Sequence, residues 1–177
     1  MGQLHMIWPE NRLDSPPAVR LEDAYQLRNF APADEGAWLA LLGRAGFEGW
    51  ASARLAAFRP RILPEGWFLA VQRATGQVVA TAMATAGPLP PLHPEGGELS
   101  WVAADPDHAG HGLGCAVSSA AVDRLLAAGY RDVYLKTDDW RLPAVKIYLS
   151  MGFVPLLYAE DMAERWRKVY EALGLPR

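Results

Sequence analysis

The most constraining stretch of the chain runs Glu98-Leu-Ser-Trp-Val-Ala-Ala-Asp-Pro-Asp-His-Ala-Gly-His-Gly-Leu-Gly-Cys115. Residues 98–104 alternate as a strand does. Asp105-Pro106-Asp107 ends that strand, because proline has no N–H to give to a ladder. Glycines then stand at 110, 112 and 114. Val117, Ala121, Val122, Leu125 and Ala128 fall on one face of a following helix, and Gly129 occupies a left-handed cap position. Glycines let backbone N–H groups turn sharply and approach a ligand closely. The first N–H groups of a helix have no internal partner, and its dipole favours negative charge there. Strand, glycine loop and helix start together make an anion site suited to a phosphate or pyrophosphate. The alternative is a tight strand-to-helix turn without a ligand.

Two common nucleotide devices do not fit. A dinucleotide fingerprint needs Gly-x-Gly-x-x-Gly, but the sixth position is Cys115 counted from Gly110 and Val117 counted from Gly112. A Walker-type loop needs Gly-Lys-Ser/Thr, which the chain lacks. The net charge of −3 does not suggest a nucleic-acid footprint. The single cysteine, Cys115, excludes an intrachain disulfide and a cysteine-rich zinc site, and it fits a reducing cytoplasm. His108 and His111 lack a nearby third ligand, so no metal site is expected. No run of 18 apolar residues suggests a membrane span, and residues 1–17 lack a signal-peptide layout. A length of 177 residues with 51% hydrophobic residues suits one domain with a substantial core.

Residues 1–23 show little pattern and are expected to be an N-terminal extension. The domain is expected over 24–177. Its first strand is predicted at 25–30, ended by Pro32, followed by a helix capped by Asp34 with Trp38, Leu41 and Leu42 inward. A short helix is predicted over 50–58. Phe47 and Trp50 are candidates to line a substrate pocket, with packing as the alternative. Pro60 and Pro64 break the chain before a strand at 67–73, which forms a hairpin with 77–85. A proline-rich loop over 87–97 carries His93, read as an exposed residue. Strands at 132–137 and 153–158 flank a helix with Ala144, Ile147, Tyr148 and Met151 on one face. A C-terminal helix over 161–173 places Trp166, Val169, Tyr170 and Leu173 together. It packs on the core or, alternatively, makes a homodimer contact.

This order, with Ala109-Gly110-His111-Gly112-Leu113-Gly114 at a strand-to-helix junction and Tyr148-Leu-Ser-Met-Gly152-Phe153 ending a later helix, resembles the GNAT superfamily of N-acetyltransferases. The resemblance covers residues 24–158. It implies a mixed α/β (α+β) fold, with a mostly antiparallel central sheet flanked by helices and split between its fourth and fifth strands. It implies acetyl-CoA as co-substrate in that split. Pantetheine would lie along the strand edge at Val102, Ala103 and Ala104. The pyrophosphate would lie on the loop Ala109, Gly110, His111, Gly112, Leu113, Gly114 and Cys115. The sequence departs from the family in two places: the usual Gln/Arg is Ala109, and the frequent Asn seven residues before the tyrosine is Arg141, which is expected to contact the cofactor in its place.

The implied reaction moves an acetyl group directly to a primary amine of a small molecule or peptide. Tyr148 aligns with the tyrosine that contacts the cofactor and protonates the CoA thiolate in many relatives, and core packing is its alternative. Glu98 aligns with a catalytic base of some members, and a strand-end charge is its alternative. Asp138 and Asp139 are rivals as base or as anchors for a cationic acceptor, with Trp50 and Trp67 beside them. Cys115 reads as a small packing residue. A non-catalytic CoA-binding module of the same fold, or a phosphate binder unrelated to CoA, would share these features, and replacing Tyr148 separates enzyme from module.

Overall fold

The computed structural model describes residues 2–47, 49 and 52–176. Its strands are β1 (Leu4–Ile7), β2 (Tyr25–Asn29), β3 (Ile62–Gln72), β4 (Val78–Ala86), β5 (Gly97–Ala104), β6 (Val133–Thr137) and β7 (Val154–Leu156). Its α-helices are α1 (Glu35–Arg44), α2 (Ser52–Phe58), α3 (Leu113–Ala127), α4 (Leu142–Met151) and α5 (Met162–Leu173). The strands form one sheet in the order β2-β3-β4-β5-β6-β1-β7. Every neighbouring pair is antiparallel except β5 and β6. The mixed, mostly antiparallel architecture expected from the sequence is therefore observed.

Strand alternation gives the sheet two buried faces. One faces α3, α4 and α5, with Val117, Leu125, Val145 and Trp166 in its core. The other faces α1 and α2, with Trp38, Leu41, Leu55 and Met83. The C-terminal helix packs on the first face through Met162, Trp166 and Val169. Trp67 stacks on Phe30 and donates its Nε1 to Thr81 Oγ1, so it is a core residue.

The N-terminal segment departs from expectation. Residues 4–7, placed in an unpatterned extension, form β1 between β6 and β7. Leu4 and Met6 are fully buried. Burial of such side chains is worth roughly 1.5–3 kcal/mol each. Trp8 continues the segment by donating its Nε1 to Arg12 O and meeting Phe153 edge-on. Residues 4–13 are thus built into the domain. Because of β1, the expected fourth and fifth strands are β5 and β6.

Two smaller departures have local causes. β3 starts at Ile62 and runs through Pro64, where a break was expected. Its ladder with β4 is irregular between Ile62 and Trp67, so Pro64 has no paired partner there and its missing N–H costs little. Asp34 does not cap α1. Its carboxylate accepts from Ala31 N and takes both ends of the Arg28 guanidinium.

Candidate active site

β5 and β6 pair only at Gly97–Val133, Glu98–Tyr134 and Leu99–Leu135. Past Leu99 they part, while β5 stays paired with β4 as far as Ala104. The β6-facing edge of β5 at Val102, Ala103 and Ala104 therefore has no strand beside it. A bulge marks the parting: β5 has two residues between Ser100 and Ala103 where β4 has one between Met83 and Thr81. Trp101 lies in it with φ 52°. A positive φ on a bulky residue costs on the order of 1–3 kcal/mol and persists only where the surroundings hold it.

A cavity of about 460 Å³ opens where the strands part. Tyr148 of α4 lines it from the α3 side of the sheet. Its side chain is buried, and its ring meets Phe153 edge-on. Its hydroxyl has no hydrogen-bond partner among the described residues. Burial pushes the phenol well above its usual range, and the Arg141 cation partly opposes this. Tyr148 is therefore a protonated donor at neutral pH.

The glycine loop lies at the far end of β5. Gly110 and Gly112 have φ of 89° and 67°, and a Cβ on either would meet nothing within 4 Å. Backbone conformation, not crowding, requires glycine here. Gly112 begins α3 with no side-chain cap, and the first helical bond runs from Ala116 N to Gly112 O. The N–H groups of Leu113, Gly114 and Cys115 precede that bond and have no helical acceptor. A Cβ on Gly114 would come 3.1 Å from Ile147 Cδ1, so α3 and α4 pack closely. Ala109 is extended and leaves no side chain over the loop. His108 Nδ1 lies 3.0 Å from Tyr25 Oη, and His111 Nδ1 lies 2.9 Å from Glu22 Oε2. Both histidines thus tie the loop to residues 22–25. Uncapped N–H groups facing open space fit a phosphate.

Glu98 is buried on the cavity floor and holds two cations. Arg61 Nη2 lies 3.0 Å from Oε2, and Lys136 Nζ lies 3.2 Å from Oε1. Asp138 also lines the cavity; Oδ1 accepts from Gln3 Nε2 at 3.1 Å, and Oδ2 faces Arg141 Nε at 3.4 Å. Arg141 begins α4 with its guanidinium over Phe47, 4.5 Å from the ring centre. Asp139 does not line the cavity. It takes Arg165 Nε at 2.9 Å and Nη2 at 2.5 Å, an ion pair that holds its carboxyl below the usual range and ties α5 to the end of β6. Trp50 lies outside the described residues.

The family model described as "Acetyltransferase (GNAT) family" matches residues 15–153. The chain belongs to the GNAT acetyltransferase family. It is 34% identical over 169 residues to a mycothiol acetyltransferase of Thermobispora bispora, covering 86% of this chain and 55% of that one. A second mycothiol acetyltransferase, from Thermomonospora curvata, is 33% identical over 159 residues, covering 84% and 50%. The chain thus spans about half the length of the curated relatives it matches. A solved GCN5-related N-acetyltransferase from Sphaerobacter thermophilus has a TM-score of 0.59 and 25% identity, covering 87% of this chain and 48% of that one.

For a GNAT domain, the sequence located the loop, the split and the tyrosine. It missed the cations. Arg61 and Lys136 carry no local motif. Only the placement of Glu98 opposite Tyr134, with Lys136 two residues further along β6, brings those two to one face, and Arg61 reaches them from the turn before β3. His93, read as exposed, is buried at 1% exposure. Its Nδ1 lies 2.9 Å from Asp132 and its Nε2 3.2 Å from His5, and it stacks on Tyr134 at 3.8 Å. Pairing satisfies the ring nitrogens that burial would otherwise leave unbonded.

Proposed function

We propose that this domain transfers an acetyl group directly from acetyl-CoA to a primary amine of a small molecule or peptide. The observation that carries this reading is the open edge of β5 at Val102–Ala104, with Tyr148 on one side and the uncapped start of α3 at its end. The N–H groups of residues 110–115 bind the pyrophosphate. The freed edge of β5 takes pantetheine as a neighbouring strand would. A backbone N–H near Val102–Ala104 meets the oxyanion that forms as the amine attacks. Tyr148 gives its proton to the leaving thiolate.

The acceptor approaches from the α1–α2 face, where Phe47, Phe58 and Trp101 wall the cavity. It must arrive as neutral amine, and an alkyl ammonium loses its proton only near pH ~10. Among the described lining residues, Arg54, Arg61, Lys136 and Arg141 face two carboxylates, Glu98 and Asp138. This excess of positive charge disfavours ammonium and favours the neutral form. Glu98 takes the released proton through water, because Arg61 and Lys136 occupy both its oxygens.

Calorimetric titration tests the donor, with acetyl-CoA as ligand and ATP and NAD as controls. Binding of acetyl-CoA alone, followed by release of CoA thiol with an amine panel, supports transfer. Binding without turnover on any amine would make the domain a CoA-binding module.

A further inference from the structure

Donors and acceptors in the cavity are unequally used. Among the described lining residues, each of the four carboxylate oxygens already has a protein partner: Glu98 with Arg61 and Lys136, and Asp138 with Gln3 and Arg141. The cations are not used up. A guanidinium has five N–H donors and an ammonium three. Arg61 spends its bonds on Ala86 O and Glu98, Lys136 on Glu98, and Arg141 on one long contact with Asp138. Arg61 and Lys136 remain partly open, at 43% and 28% side-chain exposure. Spare donors therefore line a cavity whose carboxylates, among the described residues, are both already paired with cations. A cationic anchor at Asp138, expected from the sequence, would have to share its oxygens with Gln3 and with the Arg141 cation.

The CoA phosphates do not account for this surplus. They have the glycine loop, and none of residues 109–115 lines this cavity. Glu98 and Lys136 point to the sheet face that carries α1 and α2, as their neighbours Leu99 and Leu135 point into the core on the other. The guanidinium of Arg141 leans toward the same side over Phe47.

We propose that the acceptor is a small amine that also carries an anionic group, a carboxylate or a phosphate, bound by Arg61, Lys136 and Arg141. Charge-assisted hydrogen bonds to such a group are stronger than neutral ones. The aromatic wall of Phe47, Phe58 and Trp101 packs on the body of the same molecule. The proposal rests on the acetyl-transfer reading, which places acceptors in this cavity.

The test titrates CoA-loaded protein, which cannot turn over, with matched pairs. Phenylalanine against phenylalaninamide reads carboxylate; glucosamine 6-phosphate against glucosamine reads phosphate. The charged member of at least one pair should bind tenfold or more tightly than its neutral partner. That advantage should shrink at least fivefold in Lys136→Met and in Arg141→Gln. The pair that shows the advantage identifies the anion. Neutral partners that bind as well as the charged ones, or no binding by any member, would overturn the proposal. CoA binding is read first, so its absence would count against the transfer reading. The same pairs titrated into free protein would then decide the anion site by the same criteria.

Discussion

Arg12 occupies the space that a Cβ on Gly152 would need, and its Nη1 donates to Met151 O at 2.8 Å. The C-terminus of α4 is therefore closed by a side chain from residues 10–12. Gly152 has φ 110°, a conformation open to glycine and costly to other residues. Gly152→Ala should lose both the backbone fit and the Arg12 contact. We expect a cost of about 2 kcal/mol, seen as a melting temperature lower by roughly 4–8 °C. Arg12→Ala should show a smaller fall of the same sign. An unchanged melting temperature in both variants would mean that the N-terminal segment does not hold α4.

Gly112 has φ 67° with open space around its missing Cβ. Gly112→Val should force the loop out of this conformation and rotate the first N–H groups of α3. Acetyl-CoA affinity should fall at least tenfold by calorimetry. Gly76 has φ 72° and equally open surroundings in the β3–β4 turn. Gly76→Val should carry similar strain and leave affinity unchanged. Equal losses in both would assign the effect to general destabilisation.

Elements with a repeating pattern were legible in the sequence. The hairpin of β3 and β4, the amphipathic α5 and the glycine loop each announce themselves within about a dozen residues. β1 does not, because it has four residues and buries His5 in their midst. Its partners lie near residues 136 and 155, and only the assembled sheet shows why Leu4 and Met6 are apolar. The same limit hid His93 and Asp139. A histidine in a proline-rich loop reads as solvated until Tyr134 is found stacked on it. A carboxylate beside the cleft reads as an anchor until Arg165 arrives from α5. Tyr148 was legible because a local motif, Tyr-x-x-x-Gly-Phe, carries it.

Acid should loosen the same N-terminal strand. Burial, the neighbouring His93 and the Lys136 cation pull His5 down to about 4 from an ordinary 6.5. Tyr134 and Tyr158 pack against its ring, and Asp132 reaches it only through His93. The folded state thus holds His5 neutral where the unfolded chain would protonate it. Stability is fully present above pH 6.5 and falls as pH drops from 6.5 toward 4, by at most about 3 kcal/mol. His5→Gln should flatten this part of a plot of melting temperature against pH. A slope identical to that of the parent would remove His5 as its source.

Asp139 should behave as a structural residue. Its partner Arg165 is 9% exposed, so Asp139→Ala leaves a largely buried cation with only the longer 3.6 Å contact to Asp161. The melting temperature should fall by several degrees while acceptor KM stays within about twofold. A large rise in KM at unchanged stability would return Asp139 to the acceptor site.

Tyr148 and Glu98 should separate in their kinetics. Tyr148→Phe keeps the ring that packs on Phe153 and removes only the hydroxyl that carries the proton. General acids contribute typically 10²–10⁴-fold. We expect kcat to fall roughly 100-fold or more with acetyl-CoA affinity unchanged. The loss should be smallest at low pH, where solvent can protonate the thiolate. Glu98→Gln acts differently, because it also releases Arg61 and Lys136 from their ion pairs. Acceptor KM should rise and kcat should fall, and the alkaline rise of kcat/KM should shift toward higher pH as the water-borne route to the carboxylate is lost. A variant with parental kcat and an unshifted pH profile would leave Glu98 as a positioning residue for the two cations. Full activity in Tyr148→Phe would mean that solvent protonates the thiolate and that Tyr148 only packs.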